Sequence, residues 1–157
     1  IMFYRIFIYF VAVQLFFTTY LIINIPDSKF HIYFVNVGQG DCIFIKTVEN
    51  HQILIDAGAG PDVLKELEKI IPYFDRTIDL LILTHPHEDH YGGFINVLEN
   101  YNVDFFLLTG VNHNSIRYER LIKKLNKNNV DILIAHSEMD INFGDFFIDI
   151  IYPFDSL

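Results

Sequence analysis

The chain of 157 residues has a single cysteine, Cys42, which excludes an intramolecular disulfide and any metal cage built from thiolates. Cations are scarce too: 11 Lys and Arg stand against 20 Asp and Glu, a formal net charge of −9. Residues 1–25 contribute only Arg5, so the remainder carries −10, a sign that discourages a nonspecific grip on nucleic acid over the whole surface. Internal repeats, low-complexity tracts and interior linkers are missing, so residues 27–157 read as one domain. Charge is absent from residues 6–25, where only Gln14, Thr18, Thr19 and Asn24 interrupt an apolar run.

About 20 such residues in a helix reach across a hydrocarbon core of about 30 Å. Residues 1–26 are therefore expected to form a membrane anchor or signal segment. Arg5 precedes the run while Asp27 and Lys29 follow it, which puts the N-terminus in the cytoplasm and the domain outside. A cleaved signal peptide and a buried helix are the alternatives. The run is longer than the roughly 7–15 apolar residues of a signal peptide, and no Ala-x-Ala-like site follows it.

Behind this segment the pattern is three strands, then alternating helix and strand. Residues 31–37 and 41–48 read as buried strands around Gly38-Gln39-Gly40, where glycine permits the positive φ of a tight turn. Residues 52–55 form a third strand. Pro61 opens a helix with apolar period Val63, Leu64, Leu67, Ile70 and Ile71. Residues 80–83 make a buried strand, and Phe94, Val97, Leu98 and Tyr101 one helix face. A strand at 103–108, a helix at 115–128 capped by Ser115, and strands at 131–135 and 145–152 follow.

The chemistry is concentrated in Thr84-His85-Pro86-His87-Glu88-Asp89-His90, three imidazoles and two carboxylates directly after an apolar strand. Imidazole nitrogen with carboxylate oxygen suits zinc, and also manganese or iron. His85 and His87, two apart on extended backbone, point the same way and can grip one ion. Asp89 and His90 fall where a helix-like pattern begins, and the change of direction turns them toward a second ion. Glu88, between ligands, points away. The other reading, histidines filling surface or core, does not account for four strong ligand types on so short a loop.

His85-x-His87-x-Asp89-His90 before Gly92-Gly93 resembles the signature loop of the metallo-β-lactamase fold superfamily. Residues 34–45, with Asn36-Val37-Gly38-Gln39-Gly40-Asp41, are similar to the "DVGQGD" opening of the hydrolase domain of ComEC-type competence proteins, with Asn36 where that group has Asp. Ile53-Leu54-Ile55-Asp56-Ala57-Gly58 resembles the superfamily's strand ending in Asp and Gly. Together the matches cover about residues 30–157, in the family's order.

The resemblance implies an α/β fold, the metallo-β-lactamase-type αββα sandwich, behind an N-terminal transmembrane helix. It implies two divalent metal ions, zinc or manganese, with His85 and His87 on the first, Asp89 and His90 on the second, and Asp89 orienting the nucleophile. Asp41, Asp56 and Asn36 would support the ligands from beneath, Asp56 by hydrogen bonds rather than as a ligand. Family members complete the site with a later Asp in a "TGD"-like segment and a later His in an "HHGS"-like segment. Neither stands among these residues, and Leu108-Thr109-Gly110-Val111-Asn112-His113 has no Asp after its Gly. The expectation is a domain truncated to about its first half.

The implied activity is metal-dependent hydrolysis outside the membrane, with DNA taken up across it, or another phosphodiester, as substrate. Hydrolysis of a different ester or amide, and a non-catalytic membrane-tethered remnant, are the alternatives. Arg117, Arg120, Lys123, Lys124 and Lys127 recur at helical spacing and could touch phosphates, although a solvated helix face explains them as well. His31, His51 and His136 lie away from the loop, whereas His113 could approach the mouth of the cleft.

Overall fold

The computed structural model describes residues 2–23, 28–111, 113–144 and 146–154. The expected boundary at Pro26 lies outside these residues, as do Asn112 and Asp145.

Helix α1, Met2–Ile23, is apolar on all sides, and its stretch Phe3–Leu21 is long and apolar enough to cross a membrane. That stretch begins earlier than the run read from sequence and takes in Arg5. None of it is buried, and Tyr20 meets the ring of Phe74 at 6.0 Å.

The domain is built on a six-stranded sheet in the order of the chain: β1 His31–Phe34, β2 Ile43–Lys46, β3 Gln52–Ile55, β4 Thr77–Leu83, β5 Asn102–Leu108 and β6 Asp131–Ile134. The first three pair antiparallel, with Ile32 opposite Ile45 and Ile43 opposite Ile55. From β3 onward pairing is parallel, and each crossover carries helix: α2 Asp62–Ile70, then α3 Glu88–Tyr91 with α4 Phe94–Asn100, then α5 Ile116–Lys127. Parallel strands bring their C-terminal ends to one edge, where the loops after β3, β4 and β5 meet.

Amphipathic spacing decides which face each helix buries. Val63 and Leu67 of α2, Phe94, Val97 and Leu98 of α4, and Tyr118, Leu121 and Leu125 of α5 pack on Phe44, Leu54, Leu81 and Phe106 of the sheet. Each such fully buried side chain contributes roughly 1.5–3 kcal/mol relative to leaving it in water. The Ser115 hydroxyl accepts the N–H of Tyr118 and caps α5, satisfying a donor that the helix cannot.

A second cluster covers the opposite face, where Ile53, Leu80 and Leu107 meet Phe143. Phe143 belongs to a hairpin of β7 Asp140–Phe143 and β8 Phe146–Asp149, joined at Gly144, whose φ is +66°. This corrects the single strand expected over 145–152: β7 precedes it, and pairing ends at Asp149. The hairpin covers the sheet only in part. Ile32, Phe34 and Phe105 on that face remain exposed, Phe34 to 83%.

Candidate functional site

The loop after β4 turns sharply because His87 is extended while its carbonyl already accepts the N–H groups of His90 and Tyr91, at 2.9 and 3.1 Å. That geometry gathers the three imidazoles. The His85 ring centroid lies 4.5 Å from that of His87 and 4.0 Å from that of His90. His87 is exposed, His85 and Asp89 are half-buried, and His90 is buried.

Beneath them lies Asp56, 3% exposed, at the end of β3 with φ of +53°. Its Oδ1 accepts the Thr84 N–H at 3.0 Å, while Oδ2 accepts the Thr84 hydroxyl at 2.6 Å and pairs with His90 Nδ1 at 2.8 Å. A carboxylate only accepts, so Nδ1 of His90 carries the proton and Nε2 presents its lone pair. The Thr84 hydroxyl also lies 3.0 Å from His85 Nδ1. Thr84 is therefore a site residue that reading by ligand type overlooks.

The glycine turn forms the near wall. Gly38 and Gly40 have φ of +79° and +90°, and a Cβ on Gly40 would overlap the carbonyl of Asp89. The Gln39 amide donates to Asp89 Oδ2 at 3.5 Å, a long contact that nonetheless places it beside this carboxylate. Asn36 is exposed and closes the turn, its Oδ1 accepting the Gly38 N–H at 3.2 Å. Asp41 is exposed as well, and its backbone carbonyl accepts from Gly58 at 3.1 Å. Cys42 is buried, and desolvation, with the charge of Asp56 adding to it, pushes its thiol up to about 12.

Helix α5 closes the far side. Arg117 donates to Glu88 Oε1 and, at 3.3 Å, to the carbonyl of Ala59, while the Tyr91 hydroxyl sits 2.9 Å from Ser115 Oγ. His113 packs edge-on against Tyr91 and Tyr118. All of these contacts except that of His113 with Tyr118 join residues more than 20 positions apart, which local sequence pattern does not register. Of the other basic residues on α5, Lys123 pairs with Glu119 and Lys124 with Glu99. His51 lies elsewhere, at 2.8 Å from Asp79.

The residues suit a divalent cation in chemistry. Clustered imidazoles beside carboxylates, one with its Nδ1 held by a buried acid, are nitrogen and oxygen donors of the right kind. As placed, however, no group of three His, Cys, Asp or Glu side chains among the described residues closes around one point. A cavity of about 510 Å³ beside the site is lined by His113, Tyr118 and Lys123. A larger one, about 880 Å³, lies on Arg76, Asn102 and Asp131 at the opposite ends of the strands and includes none of the loop residues.

The model of the metallo-beta-lactamase superfamily matches residues 35–116, just over half of the chain. Among solved structures the chain is similar to YhfI, a metallo-beta-lactamase fold protein from Bacillus subtilis, with TM-score 0.50 and 17% identity over 69% of this chain and 43% of that one. A new diphosphatase from the PhnP family aligns with TM-score 0.43 and 21% identity, over 67% of this chain and 40% of that one. The chain thus spans about two fifths of the length of these structures.

Proposed function

The chain belongs to the metallo-beta-lactamase superfamily, and from that premise we propose that it is a metal-dependent hydrolase, ComEC-like and acting on phosphodiesters such as DNA. The observation that carries the reading is the cluster of the His85, His87 and His90 imidazoles, with His90 anchored from beneath by buried Asp56. In this reading α1 is a membrane anchor and the domain lies outside the cytoplasm.

His85 and His87 would hold one divalent cation, and Asp89 with His90 a second, zinc or manganese. When bound, such cations polarise phosphoryl oxygens and bring the pKa of a water toward neutrality. The chain's own part is positional. Asp56 keeps the proton of His90 on Nδ1, Thr84 holds Asp56 through two more hydrogen bonds, and Asp89 orients the attacking water while Gln39 steadies one of its oxygens. Gly40 lets the turn lie against the Asp89 backbone, packing the main chain from which the carboxylate projects.

One observation favours a second reading, a non-catalytic membrane-tethered remnant: the donors do not close into a three-residue set among the described residues. Metal analysis and turnover separate the two. Joined to a segment supplying the family's later Asp and His, the chain should hold about two metal equivalents, and His87→Ala should lose at least one of them. The extended protein should cleave a generic phosphodiester with manganese or zinc, and the 157 residues alone should bind metal more weakly. Metal content unchanged in His87→Ala would sink the ligand assignment, and full metal content without turnover would favour the remnant.

A further inference from the structure

Glu88 stands between two of the proposed ligands, in a chain that is strongly acidic overall. Its carboxylate would add a negative charge to a loop already bearing Asp89 above Asp56. Among the described residues, the fixed cation bonded to this loop is Arg117, which takes Glu88 Oε1 with one nitrogen and the Ala59 carbonyl with another. The planar guanidinium can hold both acceptors at once, which a lysine ammonium does with less directional control. Ala59 is itself fixed against the end of α3, since a Cβ on Gly92 would overlap its carbonyl. Both side chains of the pair are substantially exposed, so the pair adds little to folding, and its effect falls on the local field.

We propose that Arg117 sets the charge balance of the ligand loop, cancelling Glu88 so that the mouth of the site admits an anionic substrate while giving up part of its attraction for cations. This rests on the reading that the loop binds divalent metal, and it deepens that reading by assigning the residue that tunes the site toward its anionic substrate. It has a signature that a structural role does not produce. Removing the guanidinium leaves one uncompensated negative charge, which strengthens cation binding and weakens anion binding together. Removing the Glu88 charge as well restores both. A mere tether, once cut, would weaken both ligands and would stay cut in the double variant.

The test uses the full chain in detergent micelles with Mn²⁺ alone, then inorganic phosphate on the Mn²⁺-loaded protein. At low salt Arg117→Ala should bind Mn²⁺ about threefold to tenfold more tightly and phosphate more weakly by a similar factor, with both effects shrinking as salt screens the charge over about 10 Å at 0.1 M. Arg117→Ala/Glu88→Gln should return both affinities to near those of the unaltered chain, and Arg117→Lys should keep most of the balance. Weakened Mn²⁺ binding in Arg117→Ala, unchanged affinities, or a double variant that fails to recover phosphate would overturn the proposal, the last by showing that Arg117 touches the anion itself. Failure of the underlying reading looks different: the unaltered chain takes up no Mn²⁺, or takes it up equally well with His87→Ala.

Discussion

Replacing Asp56 separates its two roles, as the centre of a buried hydrogen-bond network and as the group that chooses the tautomer of His90. Asp56→Ala strands the Thr84 N–H and His90 Nδ1–H, each costing about 1–3 kcal/mol when left unsatisfied. It also places a Cβ-bearing residue without a local hydrogen bond at φ of +53°, which adds roughly 1 kcal/mol. The expected loss is on the order of 3–7 kcal/mol, a large part of a typical total of about 5–15. Asp56→Asn behaves differently. Its oxygen can keep the Thr84 N–H, and its amide then stands where Oδ2 received His90. His90 must accept there, so its proton moves to Nε2 and the lone pair offered to metal is lost. Flipping the amide would set its NH₂ against the Thr84 N–H, two donors face to face. Asn also tolerates the left-handed conformation. Asp56→Asn should therefore cost only about 1–2 kcal/mol in folding, yet weaken metal binding about 10- to 100-fold. Urea unfolding in chelator measures the first quantity, and competition against a chromophoric chelator the second. An Asn variant with undiminished metal affinity would refute the tautomer argument, and an Ala variant destabilised by less than about 1 kcal/mol would refute the hydrogen-bond count.

Gly40→Ala should destabilise the fold by about 2 kcal/mol or more, whereas Gly38→Ala, with nothing near its added Cβ, should cost only the roughly 1–2 kcal/mol of a left-handed alanine; thermal melts of the two variants compare them directly. With its thiol pushed from 9.0 up to about 12, Cys42 should have a thiolate fraction about 1000-fold below that of an ordinary cysteine, so folded protein at pH 8 should react with a disulfide reagent far more slowly than urea-unfolded protein. The folded chain keeps that proton while the unfolded chain loses it, so the contribution is intact below about pH 9 and fades as pH rises toward 12; urea midpoints across this window should fall less steeply in Cys42→Ala. The protein should fractionate with membranes, and protease added to intact cells should cut the domain; protection until lysis would reverse the orientation.

The elements most legible in the sequence were those with a strong local period. The β4 run, the α5 cap at Ser115 and the glycine turn all rest on neighbours within a few positions. The strand read over 31–37 stops pairing in the sheet at Phe34, because the chain bends there toward the turn and keeps only the Val35–Cys42 bond at 2.9 Å. Strand β7 was missed although Asp140-Ile141-Asn142-Phe143 alternates polar and apolar before a glycine, since four residues are short evidence against the apolar run that follows. At the site, the cluster of imidazoles was written in one loop and the family resemblance pointed to Asp56 hydrogen-bonding beneath it, but the pairing of Asp56 with His90, and of Arg117 with Glu88, was not written there. Asp56 and His90 are 34 positions apart, and Arg117 and Glu88 are 29 apart. Such pairings arise from the parallel crossovers, which periodicity does not encode.

The spatial order of the sheet, β1 to β6 without a swap, also bears on how the protein is made. Each new strand finds its partner already in place at the edge, so loop closure spans one crossover at a time rather than the whole chain. Asp56, Thr84 and His90 all precede β5, and the buried network that orients His90 can assemble on a nascent chain once β3 and β4 have paired. The β7–β8 hairpin emerges only after all six strands of this sheet and crosses behind strands laid down much earlier. Until it docks, the face carrying Ile53, Leu80 and Leu107 is bare, and that interval is when a ribosome-bound chain most needs a chaperone or an adjacent membrane surface to keep it from its neighbours.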